Sequence, residues 1–404
     1  MVASILPIEL YEHAIDSLGD EESLKATSLV CRAWLPRSRL NLFRVIDLSL
    51  PGHLDRLAGL LSHAPHLAEY VEEIDISENS FLGVLRPAQT IAARLPVVLS
   101  AHSLVQPRLL TVHDQVWLPT RYDPDYLFSL SRLSFITSLD LYDVVFPTLA
   151  DFSIILRALS QLTSLSVKHL DCHRQMDPET ASDIGCVLPS LTFLRASSYH
   201  PTTVVDWLFR HVHMPSLRSL ECEYEFSHPD NRQALGELWE NAGDTLEDVS
   251  INITKRSAGT RRLAFEVIEQ QIDLSPCRIL RTLRFDCRQE RGAVPDWTWL
   301  AWLLSHLTCR TLRTITFAFE SSSHALASMH AFAEELDRVL TSALFSDGLE
   351  SVIFEFAYSD AANPDDKCFL DAFPTLSDSH LLKGKLYHDL HSFTVTLARS
   401  ECEL

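Results

Sequence analysis

Residues 138–168 read SLDLYDVVFPTLADFSIILRALSQLTSLSVK and contain one full structural period of the chain. Leu139 and Leu141 flank a polar residue, and Leu165 and Val167 repeat this arrangement 26 residues later. Alternation with a period of two indicates a short strand with one buried face. Between the two pairs, residues 152–162 place apolar side chains at the three- and four-residue spacing of an amphipathic helix. The stretch therefore predicts a strand, a turn, a helix and a second strand.

The apolar-x-apolar pattern recurs along the chain, and each pair marks a predicted strand. In chain order the pairs are Ile46/Leu48, Ile74/Ile76, Leu110/Val112, Leu139/Leu141, Leu165/Val167, Leu194/Ala196, Leu220/Cys222, Val249/Ile251, Leu283/Phe285, Ile315/Phe317, Val352/Phe354 and Phe393/Val395. The central pairs follow one another at 26 or 29 residues, whereas the last pair begins 41 residues after the one before it. Long late steps imply insertions, and we expect the largest loop within residues 358–385. Residues 81–122 fit the pattern least well.

A strand, a turn and a helix recurring every 26–29 residues resemble the long, helix-backed leucine-rich repeat. In that family a single unit cannot bury its apolar face, so neighbouring units stack into a curved rod with the strands on the concave side. The turn position three residues after each pair departs from the family, which has Asn or Cys there. This chain has Asn79 in the first repeat but Val144 and Leu170 later, so the turns need other partners for their polar backbone groups. The resemblance implies an α/β solenoid, a curved parallel sheet backed by helices.

The first fifty residues carry more large apolar side chains than a unit of that size can bury alone. Residues 6–18, LPIELYEHAIDSL, predict a helix that begins near Pro7, and Asp20 is a candidate N-cap for a second helix. Residues 23–35, SLKATSLVCRAWL, predict that second helix, and Pro36 is expected to bend the chain after it. The surplus apolar surface must pack on the rest of the chain or on a partner.

The order of these residues resembles an F-box of the large fungal families. The resemblance is carried by Leu6-Pro7-Ile8-Glu9-Leu10, by Leu29-Val30-Cys31-Arg32-Ala33-Trp34 and by Ile46-Asp47-Leu48. It implies an all-helical F-box at residues 1–48, which docks on a Skp-family adaptor and through it on a cullin, followed by the solenoid at residues 49–404. The adaptor-binding residues that it implies are Leu6, Pro7, Ile8, Leu10, Ile15, Leu18, Leu24, Val30, Trp34, Leu42 and Phe43. Ala14 stands where the family usually has a larger aliphatic residue, which forfeits about 1–2 kcal/mol of burial.

Composition and charge disfavour several classes of function. The formal net charge is -20 and the pI is about 5.3, so no basic footprint for nucleic acid is expected. No stretch approaches the ~20 apolar residues of a membrane-spanning helix, and we expect no membrane contact. The 9 cysteines form no CxxC pair, which favours free thiols in a reducing compartment. Without a signal-peptide pattern, the expected localisation is cytoplasmic or nuclear.

The sequence contains no pattern typical of a catalytic or nucleotide-binding site. The motifs G-x-S-x-G, GxxxxGK, GxGxxG and H-E-x-x-H do not occur. His169, Cys172 and His173 form the most suggestive group for a metal, but they lack a second pair of ligands at zinc-like spacing. We therefore expect a protein that is not an enzyme and that needs neither a cofactor nor a metal.

Target recognition is expected on the concave face of the strands. In each strand the residue between the two apolar positions, and the residue after them, should face that surface. The residues predicted to contact a target are Tyr142, Lys168, Arg195, Glu221, Glu223, Asn252, Arg284 and Asp286. Rigid strands hold such side chains at fixed separations, which lowers the ordering cost of binding. The alternative location for recognition is the loop within residues 358–385.

Together these patterns favour a non-catalytic substrate receptor of an SCF-type cullin ubiquitin ligase. The F-box would dock the Skp-family adaptor, and the solenoid would hold a target protein whose identity the sequence does not give. Two alternatives stay open. One is an F-box protein with a ligase-independent adaptor role, and the other is a plain leucine-rich-repeat scaffold whose N-terminal helices only cap the repeats.

Overall fold

The structure is a computed structural model of the chain. It describes residues 7–77, 90–101, 106–117, 124–172, 185–197, 203–224, 231–253, 272–286, 298–321, 333–342, 345, 348–358, 383–389 and 392–398. The chain divides into two compact units, Met1–Ile184 and Gly185–Leu404. Each unit is a mixed α/β structure built on a mainly parallel sheet, as the sequence predicts.

The first unit begins with helices and continues as alternating strands and helices. Its helices are α1 (Ile8–Asp16), α2 (Glu21–Ser28), α3 (Leu35–Phe43), α4 (Pro51–His63), α5 (Ile91–Ala101), α6 (Pro124–Ser131) and α7 (Leu149–Ala158), with a 3-10 helix at Pro65–Tyr70. Its strands are β1 (Val45–Asp47), β2 (Glu73–Ile76), β3 (Leu109–His113), β4 (Ser138–Tyr142), β5 (Val145–Phe146), β6 (Ser164–Lys168) and β7 (Asp171–Cys172).

The N-terminal helices begin and end where local chemistry allows. The Asp20 side chain caps α2 by accepting a hydrogen bond from the Ser23 amide at 2.7 Å. Pro36, which was expected to bend the chain after the second helix, instead lies in the first turn of α3. A proline costs little there because the amides of the first turn have no partner within the helix.

Strands β1, β2, β3, β4 and β6 form a parallel sheet in that order. The predicted apolar pairs lie side by side in it, because Ile74, Leu110, Leu139 and Leu165 occupy one register row. The predicted boundary at residue 48 falls between β1 and β2, which pair with each other. Helices α4 to α7 contact one another in chain order, so each strand-helix repeat packs on the next.

The turns after the strands satisfy their backbone without an Asn ladder. Asp114, Asp143 and His169 follow β3, β4 and β6 with φ of 52°, 52° and 55°, and this left-handed conformation turns the chain sharply. Beyond that turn β5 pairs with β7 in a second, short parallel ladder. There the Val145 amide donates to the Gln115 carbonyl at 2.8 Å. These contacts provide the partners that Val144 and Leu170 cannot provide through their side chains.

The second unit repeats the arrangement and then changes direction. Its strands are β8 (Cys186–Val187), β9 (Phe193–Ser197), β10 (Val212–His213), β11 (Ser219–Tyr224), β12 (Asp248–Ile253), β13 (Thr282–Asp286), β14 (Thr314–Ser321), β15 (Ser351–Tyr358), β16 (Lys383–Asp389) and β17 (Ser392–Ala398). Its helices are α8 (Thr203–His211), α9 (Asn231–Ala242) and α10 (Thr298–Ser305), and residues 333–340 are also helical.

Strands β9, β11, β12, β13, β14 and β15 are parallel, in that order. The expectation of a wholly parallel sheet is wrong at the C-terminal end, where β17 pairs antiparallel with β15 and β16 pairs antiparallel with β17. Strand β16 was not predicted, and it begins inside the region expected to be a loop. An antiparallel return needs only a short connection, which the residues between β16 and β17 supply.

The core of the second unit is a stack of equivalent side chains from successive repeats. The rings of Phe285, Phe317 and Phe354 stack in register, with centroids 5.8 and 5.3 Å apart. Among the described cysteines, Cys31 is exposed and the others are buried, and all are free. Burial raises the pKa of the Cys222 thiol to about 12, so this thiol is unreactive. No helix in the described ranges is long and apolar enough to cross a membrane.

Candidate functional site

The three N-terminal helices form a small structure that is held from within. Helices α1 and α2 both pack on α3. The Arg37 guanidinium of α3 pairs with the Asp16 carboxylate of α1, and Asn41 Nδ2 donates to Asp16 Oδ1 at 2.9 Å. Thr27 Oγ1 of α2 lies 3.0 Å from the buried Ser38 Oγ of α3. These polar contacts fix the positions of the three helices, so any apolar side chains they leave outside are presented on a defined surface.

The charge on Asp16 is part of this arrangement. The Arg37 hydrogen bond, with a smaller contribution from Asn41, lowers the pKa of Asp16 from 3.8 to about 2. The ionised carboxylate is therefore the form that the folded helices favour.

Four large apolar side chains of this segment face solvent. Ile8 and Leu10 of α1 are 51% and 55% exposed, and Leu29 and Val30, which follow α2, are 85% and 60% exposed. The Tyr11 and Trp34 rings stack at 6.2 Å, which holds α1 beside the turn that contains Leu29 and Val30. We call Ile8, Leu10, Leu29 and Val30 the apolar patch. Large apolar side chains exposed together are typical of a protein interface.

The structure separates the predicted adaptor-binding residues into three groups. Pro7, Ile8, Leu10 and Val30 are exposed, and Leu18, Trp34, Leu42 and Phe43 are half-buried. Ile15 and Leu24 are buried, so they form the core between the helices and offer no surface for direct contact. Leu6 lies outside the described residues. Leu29 was missed, although it belongs to the sequence block that carries the F-box resemblance.

On the strand face of the first unit, Tyr142 lies among basic and aromatic side chains. The Lys168 ammonium lies 5.1 Å from the centroid of the Tyr142 ring. The rings of His113 and His169 lie 5.8 and 5.6 Å from the same ring. The sequence predicted Tyr142 and Lys168 at this face but missed both histidines. His113 could have been found, because it follows the apolar pair of its strand as Tyr142 follows its own.

A row of carboxylates runs beside this cluster. Asp47, Asp75, Thr111 and Asp140 occupy one register row across β1 to β4. Burial raises the pKa of Asp75, and the neighbouring Asp47 contributes in the same direction. His113 Nε2, 3.6 Å from Asp75 Oδ1, acts in the opposite direction. This part of the face therefore attracts cations.

The strand face of the second unit presents two rows of side chains. The first row, across β9 to β15, contains Arg195, Glu221, Ser250, Arg284, Thr316 and Ile353. The second row, one step further along each strand, contains Ser197, Glu223, Asn252, Asp286, Ala318 and Glu355. The predicted target-binding residues of this unit all belong to these rows.

Neighbours within these rows bind one another. Arg195 Nε donates to Glu221 Oε2 at 2.5 Å, and Ser197 Oγ donates to Glu223 Oε2 at 2.7 Å. Both contacts join adjacent strands. Glu221 is therefore neutralised by a cation, whereas Glu223 is stabilised by a hydroxyl and keeps its net charge.

Arg284 forms a bidentate ion pair across a whole strand. Its two terminal nitrogens donate to the two carboxylate oxygens of Glu355 at 2.9 and 2.7 Å. Strand β14 lies between the two partners, and its Thr316 and Ala318 are buried. Arg284 was predicted to contact a target, but the structure already provides it with a carboxylate. Glu355 was not predicted, although it follows the centre of its apolar pair as Asp286 does.

The other candidate locations offer less. Tyr358 ends β15 and residues 383–389 form β16, but the intervening part of the predicted loop lies outside the described residues. Of the suggestive metal group, His173 also lies outside them, and burial raises the pKa of the Cys172 thiol to about 12. Within the described residues, no group of three or more His, Cys, Asp or Glu side chains could hold a metal ion.

A cavity of about 330 Å³ lies between residues 272–275 and α10. Its polar groups are already engaged, since Asp273 Oδ1 accepts from the Ser275 amide at 2.9 Å. His306 Nδ1 lies 2.8 Å from the Trp302 carbonyl oxygen of its own helix. These side chains do not converge on a position where a substrate could react.

Comparison with models of known protein families gives no match, and comparison with curated proteins gives none either.

Proposed function

We propose that this protein is a non-catalytic substrate receptor of an SCF-type cullin ubiquitin ligase. The N-terminal helices dock a Skp-family adaptor, and the strand faces of the repeats bind the target protein. The proposal rests on the F-box resemblance of residues 6–48 and on the leucine-rich-repeat resemblance of the remainder. The protein supplies binding surfaces, and the chemistry of ubiquitin transfer belongs to the assembly.

The observation that carries the proposal is the apolar patch. Its four side chains belong to short helices that hydrogen bonds and an ion pair already hold in place. Burying a side chain of this kind contributes about 1.5–3 kcal/mol, so a patch of four is large enough to support specific docking. The patch also includes residues from both sequence blocks that carry the F-box resemblance.

The test is a substitution that adds a charge to the patch without disturbing the helix. Leu10 is the third residue of α1, where Glu interacts favourably with the helix dipole. Leu10→Glu should therefore leave α1 folded. Because it places a carboxylate in an apolar interface, it should weaken binding of a purified Skp-family adaptor by about tenfold or more, measured by calorimetry.

The matched control is Val97→Glu. Val97 is an aliphatic residue on α5 of the same unit and is 44% exposed. It lies outside the apolar patch, so this variant should bind the adaptor as the wild-type chain does. If Leu10→Glu and Val97→Glu bind the adaptor equally well, the N-terminal helices are a cap on the repeats and the proposal is wrong. An adaptor complex that supports no ubiquitin transfer in a reconstituted ligase would favour the ligase-independent role.

A further inference from the structure

Carboxylates outnumber cations on the strand face of the second unit. The two register rows contain Glu221, Glu223, Asp286 and Glu355 but only the cations Arg195 and Arg284. Each arginine is already bound to one of the glutamates, Arg195 to Glu221 and Arg284 to Glu355. These pairs cancel both positive charges, and the charge that remains on the face comes from Glu223 and Asp286.

Asn252 lies between these two carboxylates. It pairs in register with Glu223 on one side and with Asp286 on the other. Adjacent strands are about 4.8 Å apart, so the three side chains form a row of acceptors about 10 Å long. The Asn252 Oδ1 atom is buried and has no hydrogen-bond partner. A buried acceptor without a partner is costly, and a donor from a bound molecule would remove that cost.

We propose that this face binds a basic segment of the target, with an arginine side chain across Glu223, Asn252 and Asp286. The inference rests on the proposed role of the chain as a target receptor and adds the chemistry of the target. A guanidinium group has five N–H donors in one plane, which can reach a carboxylate and an amide oxygen together. Lysine carries the same charge but lacks the planar fork, so it should bind more weakly.

Charge complementarity supports the same occupant. The chain has a formal net charge of -20, so its field attracts basic segments and repels acidic ones over long distances. The field brings the segment to the protein, and the acceptor row selects where its arginine binds.

The experiment measures binding of fluorescein-labelled peptides to the full chain by anisotropy. The probes are peptides in which glycine alternates with arginine, with lysine or with glutamate. We expect the arginine peptide to bind most tightly and the glutamate peptide not to bind. Glu223→Gln keeps the acceptor for Ser197 Oγ and removes the charge, and it should weaken the arginine peptide by about tenfold. Asn252→Leu should weaken it without any change in net charge.

The control variant is Glu335→Gln. Glu335 lies on the helical residues 333–340 of the same unit and pairs with Arg338 at 3.0 Å on an exposed surface. It removes the same charge from the chain, so it corrects for the long-range field. If Glu223→Gln and Glu335→Gln bind the arginine peptide equally, the acceptor row is not a site. Equal binding of the lysine and arginine peptides to all variants would likewise overturn the proposal.

Two further outcomes separate this inference from others. If the wild-type chain self-associates in sedimentation and Glu223→Gln makes it monomeric, the occupant is a second copy and the basic-target inference is wrong. Adaptor binding depends on the apolar patch, so Glu223→Gln should not alter it. A failure of the peptide experiment with normal adaptor binding would therefore overturn the inference and leave the proposed function standing.

Discussion

Replacing Phe317 by alanine tests whether successive repeats share one stacked core. Phe317 is fully buried on β14, and its ring stacks between those of Phe285 and Phe354 on the two neighbouring strands. Removing a buried phenylalanine costs about 3–5 kcal/mol. The substitution also ends two ring contacts, each contributing about 0.5–1.5 kcal/mol, so we expect a value near the upper end of that range.

The measurement is urea denaturation followed by circular dichroism, with Phe128→Ala as the control. Phe128 lies on α6 and is 65% exposed, so its removal should cost less than about 1 kcal/mol. The Phe317 variant should lower the midpoint of the transition that reports the second unit. If both variants lose the same free energy of unfolding, Phe317 is not part of a continuous core and the reasoning fails.

Two further predictions concern glycine positions and pH. Gly59→Ala should stabilise the protein by about 0.5–1 kcal/mol in thermal melts, because Gly59 lies inside α4 and an added Cβ has no atom within 4 Å. Gly243→Ala should destabilise it by about 1–3 kcal/mol, because the added Cβ would lie 2.5 Å from the Trp239 carbonyl oxygen. The folded pKa of Asp16 lies below its ordinary value, so its stabilising effect is complete above pH 3.8 and is lost as the pH falls towards 2. In an acid titration followed by circular dichroism, Asp16→Asn should reduce stability near neutral pH and remove this step; an unchanged acid transition would contradict the role of Arg37.

The strands of this fold could be predicted from the sequence because their signal is local. Leu139 and Leu141 alternate within three residues, and such a pair marks a buried strand face without reference to distant residues. The same pattern does not contain the direction of the strand. Phe393 and Val395 lie in a strand as predicted, but that strand runs antiparallel to β15 because of the path the chain takes to reach it. Strand β16, KGKLYHD, lacks an apolar-x-apolar pair and so gave no signal.

The candidate sites were less predictable because they depend on contacts between distant residues. The strand rule placed Arg284 on the correct face, but its partner Glu355 is 71 residues away in the chain. Which residues of the F-box resemblance face solvent also depends on tertiary packing. Ile15 and Leu10 belong to the same helix and both matched the expected pattern, yet Ile15 is buried and Leu10 is exposed. Helical spacing gives the face of a residue, and only the packing on α3 decides what covers that face.

The ion pairs also change how the charges on the strand face are interpreted. From the sequence, Arg195 and Arg284 beside Glu221 and Glu223 describe a surface of mixed charge with no preferred partner. In the structure each arginine has a glutamate, and each pair holds two side chains in one conformation before any target arrives. A target therefore meets a rigid surface whose unpaired charge is negative, which lowers the ordering cost of binding and excludes acidic partners. The arginines contribute to recognition by fixing the glutamates around the acceptor row, and the selection of the partner falls to Glu223, Asn252 and Asp286.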